Sequence, residues 1–374
     1  MIDSSIDFRT RLEDGYMASR NQATKLDEST IRRIDKSNMR GLLLRFPGQV
    51  EEAVSIGENA TIRTDFSSIS SVIVTGLGGS AIGGDLLRSY LADEARIPIV
   101  VNRHYFLPEF VRKDSLVIVS SYSGNTEETI AAYRDALRRQ ARILCISSDG
   151  EIEKIARRHK SAIIKIPKGL PPRAALGYSF FPLLLTLVRM GIIRERTREL
   201  RETIRLLREK AGVYGDYTAR SNEALKIARE FMGRLPVIYS TTEHLDSVNL
   251  RWRTQLAENA KVLAYGNVLP EMNHNELVGW NVQKRLMKDI VVVVLRDVDE
   301  HSRVRVRLEL TKRIIARYSP RVIQTKSEGK SLLARMFSLI YLGDWVSYYL
   351  AILNRVDPTP VKVIDYLKAE LSKV

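Results

Sequence analysis

The chain has 374 residues, 44% apolar and 28% charged, enough for about two globular domains. Its single cysteine, Cys145, excludes an intramolecular disulfide and a multi-cysteine metal site, so a reduced, buried thiol in a cytoplasmic protein is expected. The net charge is +15, no uninterrupted apolar run reaches the roughly 18 residues of a membrane span, and the acidic start Met1–Asp7 is the reverse of a secretory leader.

Residues 1–66 read as a polar helical segment in which Pro47 and Gly48 mark a break. Ser71–Thr75 is a short β-branched run, expected as a buried strand. It enters the glycine-rich stretch Gly76–Asp85, followed by a helix through Leu86–Leu91. Arg96–Val101 and Ser115–Ser120 are the next strands, the second opening into Ser121–Thr129 before a helix ending near Arg139. Arg142–Ser147 and Ala162–Ile166 are strands around a helix at Ile152–Arg158. Strands alternating with helices of this length predict a parallel sheet in an α/β fold.

Tyr178 to about Leu207 reads as helical, and Gly212–Asp216 as the boundary between halves. The predicted division is 1–66, 67–212 and 213–374. Pro236–Ser240 starts the second half, and Val72–Ala95 and Val237–Ala260 share Val-Ile at the start and Leu-Ala-Asp/Glu near the end. That faint echo agrees with two copies of one strand–loop–helix unit. Ile290–Leu295 and Val322–Thr325 are further strands, and Glu300–Tyr318 and Ser331–Leu353 are helices. Asp357–Pro360 breaks the chain before a closing helix, Val361–Leu371.

Two stretches suit an anion. Glycines in Gly76–Gly84, among them Gly79 beside Ser80, let backbone N–H groups approach a phosphate at the positive end of a helix; a tight turn is the plainer reading. The third fingerprint glycine of a dinucleotide fold is missing, and no Gly-Lys-Ser/Thr closes the loop. Ser121, Ser123 and Thr126 lie where a strand hands over to a helix, the place where open α/β sheets bind ligands. One of them as a helix N-cap is the alternative.

Arg173, between Pro172 and Ala174, offers a bidentate donor to a developing oxyanion, or is a surface arginine on a loop. Glu258 follows Leu256 and Ala257 on a helix carrying Trp252; burial would suit it as a general base, while a solvated pair with Lys261 is the simpler account. Asn273–Glu276 reads as a capping box with Asn273 as N-cap. His274 would then sit in a first helical turn as a neutral imidazole able to accept and return a proton, or merely occupy that position. The other histidines are scattered without a His-x-x-x-His pair, so neither a catalytic metal nor a cofactor is expected.

Together, Gly76–Asp85, Ser120–Thr129, Pro171–Gly177, Ala257–Lys261 and Asn273–Glu276, in this order, resemble the bifunctional phosphoglucose/phosphomannose isomerases, built from two sugar isomerase (SIS) domains. The likeness covers about residues 40 to 374, and the combination is more specific than any one motif. It implies two parallel-sheet α-β-α domains and interconversion of glucose 6-phosphate or mannose 6-phosphate with fructose 6-phosphate through a cis-enediolate. It further implies phosphate binding by Ser80, Ser121, Ser123 and Thr126, enediolate stabilisation by Arg173, Glu258 as base, and ring opening by His274 with Lys368. A homodimer in which His274 serves the neighbouring subunit's site is also implied. The first 35 or so residues look additional to the short family members.

The charge has a competing explanation, a SIS-domain regulator carrying a DNA-binding module. Basic residues are spread along the chain among acidic ones, so a field that attracts anionic metabolites, or simply a charged surface without a partner, is favoured and no nucleic-acid partner is expected. A glucosamine-6-phosphate synthase-type enzyme would need an N-terminal cysteine nucleophile, and the chain starts Met1-Ile2-Asp3.

Overall fold

The structure is a computed structural model that describes residues 26–62 and 68–373. It opens with α1 (Glu28–Ile34), α2 (Met39–Leu44) and α3 (Phe46–Asn59). The predicted N-terminal segment is therefore largely helical where described; its residues 1–25 and 63–66 lie outside the described residues. Pro47 does not break it but sits in the first turn of α3, where its missing N–H has no helical partner to lose.

The first sheet contains β1 (Ser71–Thr75), β2 (Ile99–Asn102), β3 (Ser115–Ser121), β4 (Arg142–Ser147) and β5 (Ala162–Lys165). Its order is β2-β1-β3-β4-β5, and every pairing is parallel. The connecting helices are α4 (Gly79–Tyr90), α5 (Glu127–Arg138) and α6 (Glu151–His159). Every residue of β1 and β3 is buried, which is why both read as continuous runs rather than alternating ones.

The helix predicted from Tyr178 to Leu207 is two helices, α7 (Leu176–Arg189) and α8 (Thr197–Gly215). Gly191, at φ 69°, turns the chain between them, and buried Arg196 is held there by Glu94 and by Glu199 at 2.8 Å. A helix absent from the sequence expectation, α9 (Glu223–Phe231), then leads into the second sheet.

That sheet holds β6 (Leu235–Thr241), β7 (Tyr265–Leu269), β8 (Ile290–Arg296) and β9 (Val322–Lys326) in the order β7-β6-β8-β9, again parallel throughout. With it come α10 (Asp246–Ala260), α11 (Lys284–Met287), α12 (Ser302–Ile315), α13 (Leu332–Leu353) and α14 (Lys362–Leu371). The faint sequence echo corresponds to β1–α4 and β6–α10, each an interior strand followed by its helix.

The two halves meet on α13, buried from Leu333 to Leu353. Phe337 packs against Phe46, Phe180 and Phe181, and Trp252 donates from its indole to the Leu339 carbonyl at 2.8 Å. Burying one such aromatic contributes about 1.5–3 kcal/mol. By length and hydropathy α13 matches a membrane span, yet here it lies wholly inside the protein, with Arg335 and Asp344 interrupting the apolar run. A helix apolar all round has to be covered on every face.

Candidate active site

Two helices begin without a side-chain cap at neighbouring strand ends, α4 after β1 and α5 after β3. The first N–H groups of a helix lack the regular helical partner, so two such ends side by side have the form of a cradle that would suit an anion. Ser80, in the first turn of α4, is 7% exposed, and its Oγ accepts the Tyr122 N–H at 2.9 Å. Ser121 is buried; its Oγ accepts the Gly124 N–H at 3.2 Å and lies 3.1 Å from Thr126 Oγ1. Thr126 stands at the N-cap position of α5, but its hydroxyl turns to Ser121 instead of capping the helix. Ser123 is exposed at the tip, with its Oγ accepting the Asn125 N–H at 3.3 Å. The tip is tight: Gly124 has φ 71°, and a Cβ there would stand 1.7 Å from the Asp149 carbonyl oxygen.

The cradle touches the arginine loop. A Cβ on Gly79 would lie 2.7 Å from the Pro172 carbonyl oxygen and 3.1 Å from the Arg173 nitrogen, so only glycine permits that approach. Tyr122 ties the same regions from the other side, its hydroxyl accepting the Leu170 N–H at 2.9 Å.

Arg173 is no surface arginine. It is 4% exposed, in the 3-10 turn Pro172–Ala174. Its Nε donates to Asn259 Oδ1 at 2.6 Å, and Nη2 donates to the Pro358 and Thr359 carbonyls at 2.6 and 2.7 Å. Nη1 faces Glu258 Oε2 at 3.6 Å. Burial lowers the guanidinium's pKa below the usual arginine value, against the raising pull of Glu258.

Glu258 lies in the last turn of α10 with 29% of its side chain exposed, so its burial is partial. The pair expected between Glu258 and Lys261 takes another form. The Lys261 ammonium donates to the Glu258 backbone carbonyl at 2.7 Å and leaves the carboxylate to Arg173.

Beneath this pair runs a polar network that sequence reasoning missed. Arg251 donates to the Arg173 carbonyl at 3.0 Å and to Asp344 at 2.7 Å, and Gln255 donates to Asp344 at 2.9 Å. Asn259 donates to Ser347 at 3.0 Å. Arg251, Gln255 and Asn259 recur every four residues on one face of α10, and Asp344 and Ser347 are polar intruders in the apolar run of α13. Those two patterns were the available signal. Burial pushes the Asp344 carboxyl pKa up, against the lowering effect of Arg251 and Gln255. A buried ion pair adds little net stability, but this one fixes the backbone of Arg173.

The N-terminal segment also reaches the site. Gln49 on α3 donates to the Ala174 carbonyl at 2.8 Å and accepts the Gly177 N–H at 2.9 Å, bracketing the chain just after Arg173.

Ser80, Ser121, Thr126, Arg173 and Glu258 are thus joined by a continuous series of contacts; Ser123 stands at the cradle's outer edge. His274 and Lys368 are not joined to them by any hydrogen bond or ion pair among the described residues. The capping box is not formed as predicted. His274 ends the 3-10 turn Glu271–His274, and Asn275, not Asn273, caps the next turn, Glu276–Trp280. Asn273 instead donates to Thr311 on α12, and Glu276 is drawn to Tyr239, Tyr265 and Asn267. His274 is exposed. Lys368 lies on the exposed helix α14, whose Asp365 acts electrostatically on Arg173. Among the described residues no group of three or more His, Cys, Asp or Glu is arranged to hold a metal ion.

Comparison with known proteins bears on the family and the fold. The family described as "SIS domain" matches residues 65–194, and that described as "Bacterial phospho-glucose isomerase C-terminal SIS domain" matches residues 220–371; α8 lies between the two. A bifunctional phosphoglucose/phosphomannose isomerase of Caldicellulosiruptor bescii is 44% identical over 329 residues, covering 88% of this chain and 97% of that protein. One from Aquifex aeolicus is 36% identical, covering 83% and 93%. Among solved structures, a glucose-6-phosphate isomerase like protein from Thermus thermophilus superposes with a TM-score of 0.60 at 19% identity, covering 89% of this chain and 96% of that one. The C-terminal domain of glucosamine-fructose-6-phosphate aminotransferase from Francisella tularensis gives 0.63 at 16%, covering 85% and 97%. At such identities the structural likeness speaks to the fold, two SIS domains of parallel sheet and helices.

Proposed function

Since the chain belongs to the bifunctional phosphoglucose/phosphomannose isomerase family, we propose that this isomerase interconverts glucose 6-phosphate and mannose 6-phosphate with fructose 6-phosphate. The observation that carries this reading is the pair Arg173 Nη1 and Glu258 Oε2, 3.6 Å apart, with Arg173 on the loop that Gly79 presses against and Glu258 at the end of α10. Phosphate in the cradle of Ser80, Ser121, Ser123 and Thr126 would leave the sugar's other end toward that pair.

Glu258 takes the proton from C2 of the open-chain aldose and returns it to C1, while the O2 hydroxyl proton passes to O1. Arg173 has Nε and Nη2 committed to protein oxygens, so Nη1 is the arm left for the enediolate oxygen. Glucose 6-phosphate and mannose 6-phosphate differ only at C2 and lose that difference in the cis-enediolate, so one base on one pocket serves both. The chemistry is proton transfer by the chain's own residues and is assigned no metal or cofactor.

Ring opening falls to Lys368 and to His274 supplied by a second copy in a homodimer. Supporting the dimer, His274 is exposed and makes no hydrogen bond or ion pair to the other site residues among the described residues, and α14 exposes Val363, Tyr366, Leu367 and Leu371 without one buried residue. Apolar side chains gathered on one helix call for a covering surface. The working compartment under this reading is the cytoplasm.

A coupled assay of the full chain with each aldose phosphate in turn tests the proposal. Conversion of both to fructose 6-phosphate is expected; conversion of neither would refute it.

A further inference from the structure

Lys261 ends α10 in the left-handed region, φ 57°, a conformation for which glycine or asparagine is the ordinary choice. What a lysine offers there is reach. Its ammonium donates to the carbonyls of Glu258 at 2.7 Å and Asn259 at 3.3 Å, which lie in the last turn of α10 and have no helical partner. It also donates to the Pro358 carbonyl at 3.1 Å, 97 residues away in sequence. That same oxygen accepts from Arg173 Nη2 at 2.6 Å. Two cations, one from the end of the Glu258 helix and one from the arginine loop, therefore grip a single carbonyl in the Asp357–Pro360 segment.

This segment is the root of α14. Asp357 Oδ1 accepts the Thr359 N–H at 3.0 Å, and Pro358 and Pro360 stiffen the backbone on either side of Thr359. With no buried side chain of its own, α14 takes its direction from that root. We propose that Lys261 is a positioning residue that clamps Pro358 to the end of α10 and so fixes Lys368, on α14, relative to Glu258. The inference rests on the reading of Lys368 as a ring-opening group.

The test uses Lys261→Gly, Lys261→Arg and the wild type. Glycine suits the left-handed backbone, so Lys261→Gly keeps the fold, with a melting temperature lowered only by the loss of the ammonium's hydrogen bonds. Amide hydrogen exchange over residues 356–371 should be at least about tenfold faster in Lys261→Gly, as expected when a local tether is lost. Its turnover of glucose 6-phosphate should fall at least about tenfold, the scale of a small misplacement. Inhibition by glucitol 6-phosphate, which has no ring to open, should stay unchanged. Lys261→Arg, which keeps a cation of similar reach, should recover most of both losses. Unchanged exchange in Lys261→Gly, or faster exchange with wild-type turnover, overturns the proposal. A wild type that isomerises neither substrate would defeat the functional reading instead, and the exchange data would still decide whether the clamp exists.

Discussion

Arg173 Nε donates to Asn259 Oδ1 across 2.6 Å, and Asn259 is the chain neighbour of Glu258. The guanidinium is therefore tethered to the same helical turn that carries the carboxylate it faces. Under the proposed mechanism the base and the oxyanion donor must be held at a fixed separation, and this hydrogen bond would supply the fixing.

Asn259→Ala removes that tether and also leaves the Ser347 hydroxyl without its donor. Stability should fall by about 1–3 kcal/mol, the usual cost of unpairing buried polar groups. Turnover should fall at least about tenfold. A urea titration with parallel kinetics reads both; wild-type turnover would mean that Pro358 and Thr359 alone hold Arg173.

Glu258→Gln keeps shape and hydrogen-bonding capacity but cannot take a proton. Turnover should drop at least about 100-fold while substrate binding changes little. Near-normal turnover removes Glu258 from the mechanism.

His274→Ala and Glu258→Gln should each be nearly inactive alone. If each site takes its histidine from the neighbouring subunit, mixing and re-equilibrating the two recovers about a quarter of wild-type activity, because half the sites in half the dimers are complete. No recovery, with subunit exchange verified by mass, argues that His274 acts within its own chain or not at all.

Lys368→Ala should impair turnover of ring-closed sugar phosphate more than that of an open-chain analogue. Equal losses on both would take Lys368 out of ring opening.

Asp135 gives a pH dependence. Burial raises its carboxyl pKa, but the Leu107 N–H at 3.0 Å and Arg139 at 3.2 Å outweigh that and leave it below the ordinary aspartate value. A carboxyl depressed in the folded state contributes stability that is complete above its unfolded pKa and is lost as pH falls through the folded one. Thermal melts of the wild type should therefore weaken more steeply below about pH 4 than those of Asp135→Asn, whose stability lacks this component. Parallel acid limbs would assign the acid loss to other carboxylates.

Much of the fold was legible because its strongest strands, β1, β3, β4 and β8, are buried β-branched runs bounded by turns. The edge strand β7 escaped notice because Tyr265–Leu269 is mostly half-exposed and interrupted by Gly266 and Asn267, leaving no apolar pattern to read. The break between α7 and α8 had a local signal that went unread, Gly191 in the left-handed region, backed by the tertiary contact of Arg196 with Glu94. At the site, the glycines were visible because tight turns and close approach demand them, and the hydroxyls and Arg173 because they are donors suited to a phosphate and an oxyanion. Asn259, Asp344 and Gln49 were not, since each matters only through a partner more than 80 residues distant. His274 was drawn into a capping pattern by its neighbours, although Glu276 is claimed by Tyr239 and Tyr265.

Helix α13 touches aromatic rings from the opening segment, from α7 and from the Trp252 helix at once. Neither half of the polypeptide can consequently be excised as a free-standing unit. A product truncated before Leu332 would keep Ser80, Ser121, Ser123 and Thr126 yet present a hollow lined by Phe46, Phe180, Phe181 and Trp252 to water. A ribosome must deliver the chain through Leu353 before this interior can close.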